Sequence, residues 1–574
     1  MKIQFCGATT GVTGSCHLIK TEKHNVLLDC GQYQGGKAMD AMNFEPFPFD
    51  PKSIECMVLS HAHIDHCGRI PLLVKRGFTG PIYCTSATAD LLKVMLEDSA
   101  YIHEKEAEWQ NRKNMRAGRP EVEPLYTIDD ADRALTYVRP VEYDQLIRLN
   151  DDIRFVFNDA GHILGSAITE LWVTEGGKET KIVFSGDLGM MDRPILRDPM
   201  IIKKADCVIM ETTYGDRLHP DNAMDVRQLI DIIIKTTDRG GCVVIPSFAV
   251  GRTQELLYEL NRFYDEHNEF DSKLDKVNVY IDSPMATTAT EVFRRNAQVF
   301  DSEARKYILK GDDPLDFRHL HFTRSTEESK ALNFDKTPKV IISASGMCEA
   351  GRIRHHLKHH LWDPKSSIVF VGYQAVGTLG RALLDGQKDV TLFDEKIHVN
   401  AEIYNLEGFS AHADQNGLLK WLAGFQMKPA QVFLVHGEED AKLTFAKLVK
   451  DRLGYEPTAV LSNSEYELKQ GEQELEVLNR VKAKETAEEK AEEIAEAKAE
   501  ESAEKKAEMD DEVREVRNQI AEIHNELEKI LFNAQTALTK DITEEKLQEI
   551  RNIVQDLNKS SMDLASTVLE KKGE

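Results

Sequence analysis

Residues 57–71 read Met-Val-Leu-Ser-His-Ala-His-Ile-Asp-His-Cys-Gly-Arg-Ile-Pro, and the rest of the chain is interpreted around them. The apolar run at residues 56–59 predicts a buried strand that ends at Ser60. Directly after it stand four nitrogen or oxygen donors, His61, His63, Asp65 and His66. Alternate residues of an extended segment point the same way, so the first two converge on one metal, and a tight turn brings the other two to a second position nearby. This donor set is typical of Zn²⁺ held with an open coordination site.

Composition narrows the class of protein. The formal charge of −25 means that any nucleic-acid contact must come from a local basic groove that works against the overall field. Nine cysteines, an odd number without a C-x-x-C pair, predict reduced thiols and not a disulfide framework. We find no secretory signal pattern and no apolar run of membrane-spanning length. A cytoplasmic protein is predicted.

Three further residues follow apolar, strand-like runs. Asp29 is either a carboxylate that orients a ligand histidine or a turn-capping residue. His162 follows the run at 155–157, and Asp187 follows the run at 182–184. A carboxylate is the natural bridge between two divalent metals, because its two oxygens can serve both. Asp187 is therefore the candidate bridge, and His162 is the candidate third imidazole on the first metal.

Residues 57–71 resemble the signature of the metallo-β-lactamase fold hydrolases, which also carry an aspartate matching Asp29 and so favour its orienting role. Farther along, the resemblance narrows to the β-CASP nucleases of that superfamily. Glu211 lies in Ala205-Asp-Cys-Val-Ile-Met-Glu-Thr-Thr-Tyr-Gly, His412 in Phe409-Ser-Ala-His-Ala-Asp and His436 in Val432-Phe-Leu-Val-His-Gly-Glu. These match the three additional motifs of the family, in order. The resemblance covers residues 1–465.

The resemblance implies an α/β fold in which a metallo-β-lactamase αββα sandwich carries an inserted β-CASP α/β domain. We place the first part of the sandwich at residues 1–215, the insert at 216–395 and the second part of the sandwich at 396–465. Within the insert, apolar strands alternate with helices, which is typical of a small parallel α/β layer. A C-terminal extension at 480–574 follows.

The activity implied is that of a zinc-dependent ribonuclease that hydrolyses single-stranded RNA with a hydroxide activated by two Zn²⁺ per chain. His61, His63 and His162 would hold one zinc and Asp65, His66 and His436 the other, with Asp187 as the bridge. His412 paired with Glu211 would deliver a proton to the leaving group, so that Asp65, Glu211 and His412 are the candidate catalytic residues.

Histidine at position 436 goes with RNA-processing members of the family, whereas DNA-repair members tend to carry an aliphatic residue there. The form of the His412 motif is similar to that of the nuclease subunit of the pre-mRNA 3′-end cleavage factor and its prokaryotic relatives, and a bacterial homologue is expected because no KH domains precede residue 3. Endonucleolytic and 5′-exonucleolytic cleavage both remain open. The alternatives are a catalytically silent RNA-binding scaffold and a metallo-hydrolase acting on another substrate such as DNA.

Gly-rich turns follow the strands of the insert and predict contacts with backbone phosphates. The candidate residues are Arg252, Ser343, Ser345 and Arg381. The histidines at 355, 356, 359 and 360 are interpreted as helical packing and not as a metal site, because no acidic or cysteine ligand accompanies them in sequence.

Two segments are predicted to be helical. Residues 86–145 are strongly charged, and their basic cluster is interpreted as a solvated helix face. Residues 481–574 hold 25 acidic against 15 basic residues, and apolar residues recur there in two a/d seams. A helical hairpin or a dimerising coiled coil fits both seams, which predicts a homodimer or a protein partner bound through the C-terminal helices.

Overall fold

The computed structural model of the chain describes residues 1–219, 222–266, 277–375, 377–461 and 463–469. The helical extension predicted at 480–574 lies outside these residues. Among the residues that are described, none belongs to a helix long and apolar enough to cross a lipid bilayer. The nine cysteines all lie within the described ranges as buried free thiols, as predicted.

The described strands up to residue 219 are Lys2–Phe5 (β1), His17–Lys20 (β2), Asn25–Leu28 (β3), Cys56–Val58 (β4), Ile82–Thr85 (β5), Val138–Val141 (β6), Ile147–Arg148 (β7), Ile153–Asp159 (β8), Ala167–Glu175 (β9), Lys178–Phe184 (β10) and Cys207–Glu211 (β11). The later ones are Cys242–Pro246 (β12), Asn278–Ile281 (β13), Leu320–Phe322 (β14), Lys339–Ser343 (β15), Ser367–Phe370 (β16), Asp389–Leu392 (β17), Glu395–His398 (β18), Glu402–Asn405 (β19), Gln431–Val435 (β20), Thr458–Ala459 (β21) and Glu465–Glu467 (β22).

The described α-helices in the first 219 residues are Lys37–Met42 (α1), Ile64–Cys67 (α2), Ile70–Lys75 (α3), Ser86–Ala117 (α4) and Ile128–Leu135 (α5). The later ones are Asn222–Asp238 (α6), Arg252–Glu266 (α7), Pro284–Arg295 (α8), Ser302–Leu309 (α9), Thr326–Phe334 (α10), Ile353–His360 (α11), Leu379–Leu384 (α12), Gln415–Ala423 (α13) and Glu439–Leu453 (α14).

Two seven-stranded sheets form the centre of the sandwich. The first has the strand order β22-β1-β2-β3-β4-β5-β6, and the second has the order β21-β20-β11-β10-β9-β8-β7. Their facing surfaces share one apolar core, to which Val58 contributes from the first sheet and Phe157 and Phe184 from the second. Successive side chains of a strand point to opposite faces, so Met57 packs on the outer side of the first sheet.

Helices cover both outer faces. Helices α3, α4 and α5 pack on the first sheet, where Leu73 and Leu92 are buried with Met57. Helices α13 and α14 pack on the second sheet, where Trp421 and Phe445 are buried with the strand residues. The predicted αββα sandwich is confirmed.

The expectation of helix over 86–145 is right for α4 and α5 but wrong at Val138–Val141, which forms strand β6. This strand lies at the end of the first sheet, and among the described strands it pairs with β5 alone. An edge strand tolerates Pro140 and outward-facing charge, which is why its sequence lacks the apolar alternation of a half-buried strand.

The predicted α/β insert is also confirmed as a third sheet of six strands, in the order β14-β13-β15-β12-β16-β19. All of its neighbouring strands run parallel. Central strands such as Lys339–Ser343 are buried throughout, as in a parallel sheet that is covered on both faces. Strand β19, at Glu402–Asn405, pairs with β16 in this sheet and lies beyond residue 395, where the sequence analysis ended the insert.

The loops that carry the predicted ligands meet at one edge of the sandwich. Strands β4, β10, β11 and β20 each end just before such a loop. The two sheets are joined at this edge by a hydrogen bond of 2.9 Å from the backbone N–H of Ala167, at the start of β9, to the carbonyl of Ser60. Side chains that are far apart in sequence are thereby brought into one buried volume.

Candidate metal centre and proton-donor pair

The segment after β4 follows the predicted local course. His61 and His63 stand two residues apart in extended backbone, and helix α2 begins directly after His63. That single helical turn brings Asp65 and His66 round to the second cluster. The extended segment and the turn thus direct four donor side chains, which lie within six residues of sequence, to two different clusters.

The first cluster contains His61, His63, His162 and Asp187. His63 Nδ1 lies 3.1 Å from both His61 Nε2 and His162 Nε2. Asp187 Oδ2 lies 3.5 Å from His61 Nε2 and 3.6 Å from His162 Nε2. Donor atoms at the corners of a tetrahedron around Zn²⁺ would be about 3.3–3.4 Å apart, given Zn–N distances of about 2.0–2.1 Å. The spacing therefore fits a tetrahedral metal.

The second cluster contains Asp65, His66 and His436. His66 Nε2 lies 3.2 Å from His436 Nε2, which lies 3.5 Å from Asp65 Oδ2. Asp187 Oδ2 lies 3.3 Å from His66 Nε2, so the same carboxylate contacts both clusters. This is the geometry that a bridging ligand requires.

The electrostatic state of the first cluster also fits a cation. Burial lowers the pKa of His61 and of His162, and it lowers the pKa of His63 to about 4, so these rings are neutral and present lone pairs. Asp187 is buried, and within the described part of the chain no group hydrogen-bonds to its Oδ1. Buried carboxylate oxygens are normally satisfied by donors or by metals, so the residues present fit a metal pair.

Asp29 lies behind the second cluster. Its Oδ2 is 2.7 Å from His66 Nδ1, and it accepts hydrogen bonds from the hydroxyls of Ser15 and Ser60 at 3.0 and 2.9 Å. A histidine whose Nδ1 donates to a carboxylate keeps Nε2 free for a metal. Asp29 and His436 both have positive φ angles, 58° and 48°, which residues with a Cβ adopt at a cost. Asp29 and His436 thus place two residues with positive φ in or directly behind the second cluster.

Glu211 and His412 form a pair next to Asp187. His412 Nδ1 lies 3.2 Å from each carboxylate oxygen of the buried Glu211, whose Oε1 also accepts from the backbone N–H of Leu188 at 2.6 Å. Burial opposes the charged form of His412, but Glu211 and then Asp187 outweigh it and raise its pKa to about 9. The side chain is 21% exposed. His412 can therefore hold a proton at the mouth of the centre.

Sequence reasoning missed a buried arginine that fixes the loop before His412. Arg193 donates to the carbonyls of Gly408 and Ser410 at 2.6 and 2.5 Å, and to Glu255 of helix α7 at 2.8 Å. Arg252 pairs with the same glutamate. The insert and the sandwich thus hold the proton-donor loop between them, through residues more than 200 positions apart that no local pattern connects.

The four candidate phosphate contacts are differently placed. Arg252 is buried against Glu255, and the buried Ser343 donates to the carbonyl of Asp282 at 2.8 Å. Ser345 bonds to the backbone of Ala350 within its own turn. Arg381 is more exposed, pairs with Asp385 at 3.0 Å and lines a surface cavity of about 540 Å³. Arg381 and Ser345 are accessible to a ligand, whereas Arg252 and Ser343 serve internal contacts.

Comparison with known proteins agrees with this architecture. Residues 9–238 match the metallo-β-lactamase superfamily, residues 253–383 match the Beta-Casp domain, and residues 396–460 match the Zn-dependent metallo-hydrolase RNA specificity domain. Ribonuclease TTHA0252 of Thermus thermophilus is 39% identical over 449 residues, which are 78% of this chain and 96% of that protein.

Two archaeal proteins are similar over a comparable length of the chain. Transcription termination factor FttA of Methanocaldococcus jannaschii is 32% identical over 460 residues, covering 78% of this chain and 69% of that protein. An RNase J-like protein of the same organism is 32% identical over 450 residues, covering 78% and 95%. The matches to these three relatives extend over 449 to 460 residues, which is about the length of the sandwich and the insert together.

Proposed function

The chain belongs to the β-CASP group of the metallo-β-lactamase superfamily and is a metal-dependent RNA hydrolase, and we propose that it uses two zinc ions to cut single-stranded RNA. The observation that carries the proposal is the position of Asp187, whose Oδ2 lies within 3.6 Å of ring nitrogens from both donor clusters. Two metal positions with a proton donor beside them form an arrangement that can hydrolyse phosphodiesters.

The ligand assignment follows the clusters. His61, His63 and His162 would hold one ion, Asp65, His66 and His436 the other, and Asp187 would bridge them. Imidazole with carboxylate is a donor set that suits zinc. When bound, two such metal ions lower the pKa of a coordinated water towards neutrality and polarise a phosphoryl oxygen.

The protein's own residues then have separate tasks. Glu211 holds His412 Nδ1 through both carboxylate oxygens, which leaves the opposite ring nitrogen to deliver a proton to the leaving oxygen. Arg193 fixes the backbone of the loop that carries His412. Asp65 is the partly exposed ligand of the second cluster, beside His436, so we place it on the side open to substrate.

Three points support RNA as the substrate. Two of the relatives are named as ribonuclease or RNase J-like, and residues 396–460 match a domain described by RNA specificity. Position 436 carries histidine, as in the RNA-processing members that the motifs resemble.

We further propose a cytoplasmic location, in keeping with nine buried free thiols, and a homodimer or protein partner bound through the C-terminal seams.

The test is cleavage of end-labelled single-stranded RNA by the purified chain, with 5′-phosphate and 5′-hydroxyl versions and the same sequence as DNA. We expect cleavage of RNA that is lost on chelation and restored by Zn²⁺, with two zinc ions per chain by elemental analysis. Internal products from both versions indicate an endonuclease, and mononucleotides from the 5′-phosphate version indicate a 5′-exonuclease. Preferential cutting of DNA, or full activity with one metal, contradicts the proposal.

A further inference from the structure

Aromatic side chains extend from His412 into the insert. The ring of Tyr214 lies 6.1 Å from that of His412, and the ring of Tyr373 lies 6.3 Å from that of Tyr214 at an angle of 90°. Tyr373 belongs to the insert, and its hydroxyl donates to Glu438, two residues beyond His436, at 3.2 Å. Tyr373 therefore stands across the junction between insert and sandwich, connected to His412 through the ring of Tyr214.

Phe248 continues this series on the insert side. Its ring packs on two glycines, because a Cβ built on Gly346 would lie 2.9 Å from its Cδ2 and Cε2 and one built on Gly372 would lie 3.8 Å from Cε2. Gly372 is the chain neighbour of Tyr373. Despite this packing Phe248 is 38% exposed.

The loop that carries Phe248 is fixed beside the metal centre. Its carbonyl accepts the hydroxyl of Thr253 at 2.7 Å, and the backbone N–H of Ser247 donates to Ser343 at 3.0 Å. At the far end of the loop, a Cβ on Gly251 would lie 3.0 Å from Cγ2 of Ile163, the residue after His162. The exposed ring is thus held by rigid backbone within one short loop of the first donor cluster.

We propose that Phe248 and Tyr373 form a base-stacking platform for the nucleotides that flank the scissile phosphate on the insert side. The inference rests on the proposed function and gives it a structural basis for single-stranded RNA. Unpaired bases splay out and stack on aromatic rings in any sequence, whereas a duplex keeps its bases stacked on one another. The two glycines cover the Cδ2–Cε2 side of the Phe248 ring, and 38% of the residue remains exposed.

The chemistry of the platform favours nucleic acid over a protein segment. The two rings stand at a centre built for phosphate esters, and their neighbours are backbone and polar groups such as Gln374, whose amide donates to the carbonyls of Gly346 and Gly372. This is not the broad apolar patch that a protein partner buries. A few exposed rings beside a phosphate site are typical of single-strand recognition.

The test measures binding of 5′-fluorescein single-stranded RNA in the His412→Ala background, in which turnover is expected to be about 10²–10⁴-fold slower. The RNA is used intact and with a single abasic ribose at successive positions. Phe248→Ala is expected to weaken binding of intact RNA about 5- to 100-fold, the range for one base stacked on one ring. It is expected to have no further effect on the RNA whose missing base is the one that stacks.

Matched variants separate stacking from packing. Phe248→Leu keeps an apolar side chain over Gly346 but has no ring, so it should bind like Phe248→Ala, while Phe248→Trp should bind like the parent. Tyr373→Phe should also bind like the parent, because it loses only the bond to Glu438, whereas Tyr373→Leu should bind weakly. Unchanged affinity in Phe248→Ala, full affinity in Phe248→Leu, or equal losses on every abasic RNA would overturn the platform.

The same experiment distinguishes the platform from the proposed function. If the unmodified chain neither binds nor cuts single-stranded RNA, the proposed function fails and the platform fails with it. If the unmodified chain cuts RNA and Phe248→Ala binds intact RNA equally well, only the platform fails.

Discussion

Two buried clusters of histidine and aspartate in this molecule look alike in composition and differ in how their polar atoms are satisfied. One is the metal centre around Asp187 in the sandwich. The other surrounds Asp282, at the end of strand β13 in the insert. Both carboxylates are buried and both contact histidine. Only one of the two fits a metal.

Asp282 has its donors within the chain. Its Oδ2 lies 2.6 Å from His356 Nε2 and accepts from Ser329 at 2.5 Å, and its Oδ1 accepts from Arg352 at 2.6 Å and also from Thr323. The guanidinium supplies the positive charge that a metal would otherwise bring. In the first donor cluster, by contrast, the neutral ring nitrogens of His61 and His63 lie 3.1 Å apart and Asp187 Oδ2 lies 3.6 Å from His162 Nε2, while within the described ranges nothing hydrogen-bonds to Asp187 Oδ1.

The difference teaches that clustering alone does not identify a ligand site, and that the two clusters differ in whether the central carboxylate has its donors within the chain. It also corrects one argument from sequence. The histidines at 355–360 were interpreted as packing because no acidic residue accompanies them, yet Asp282 accompanies His356 from another strand. That they form no metal site stays a prediction, and it is supported by Arg352, whose guanidinium lies 2.6 Å from Asp282 Oδ1 and supplies positive charge there.

The largest expected effect on activity comes from replacing the buried aspartate at the middle of each cluster by asparagine. Asp187→Asn should remove at least one metal and lower activity by more than about 100-fold. Mutating a residue that only supports a ligand already lowers metal affinity or activity about 10–100-fold, and Asp187 is itself a candidate ligand. Asp282→Asn, the matched change of a buried aspartate, should keep both metals. Elemental analysis and RNA cleavage on both variants measure this. Metal loss in Asp282→Asn would abolish the distinction between the clusters.

The next effect separates proton delivery from metal binding. His412→Ala should lower cleavage about 10²–10⁴-fold, the usual contribution of a general acid, while the metal content stays unchanged. His355→Ala is the control, because this exposed histidine of the insert stacks on Phe393 away from the donor clusters. Loss of metal in His412→Ala would make the residue a ligand and remove it from the proton-donor role.

A smaller effect is expected from the residue that orients His66. Asp29→Asn keeps the size of the side chain but weakens the acceptor for His66 Nδ1, so metal affinity should fall about 10–100-fold. Competition with a chelator of known affinity measures this, with Asp385→Asn as an exposed control. Unchanged zinc affinity would show that the hydrogen bond does not tune the ligand.

The smallest effect on activity should come from the Asp282 cluster, where stability changes instead. Burial raises the pKa of Asp282, but the bonds from His356, Ser329 and Thr323 outweigh it and hold that pKa below its usual range. A lowered folded-state pKa stabilises the fold above the unfolded value of about 4, and this contribution is lost as pH falls below it. In Asp282→Asn, Arg352 loses its carboxylate partner, and the free energy of unfolding should fall by about 3–5 kcal/mol.

Denaturant unfolding of the parent chain and of Asp282→Asn from pH 3 to pH 7 measures the difference. The gap between the two should be constant above about pH 5 and should shrink as pH falls below about 4. A gap that is independent of pH would mean that the charge of Asp282 contributes nothing to the insert, whatever its hydrogen bonds do.

The sequence by itself determined the fold class and its order along the chain. The apolar residues 56–59 followed by His61, His63, Asp65 and His66 carry their own geometry, because strand alternation and one helical turn fix the directions of side chains only a few residues apart. The resemblance then pointed to Asp187, Glu211, His412 and His436, and the structure brings all of them to one edge of the sandwich. The candidate ligand set was within reach of local patterns and motifs.

Only the tertiary structure decided which polar residues support that set. Arg193 reaches Ser410 across more than 200 positions, Tyr373 reaches Glu438, and Asp282 reaches His356. Each contact depends on the order of strands in a sheet and on the direction in which a loop leaves it, and neither is encoded in the spacing of neighbouring residues. A buried polar side chain must find its partner wherever the topology places one, so these pairs become visible only when the sheets are assembled.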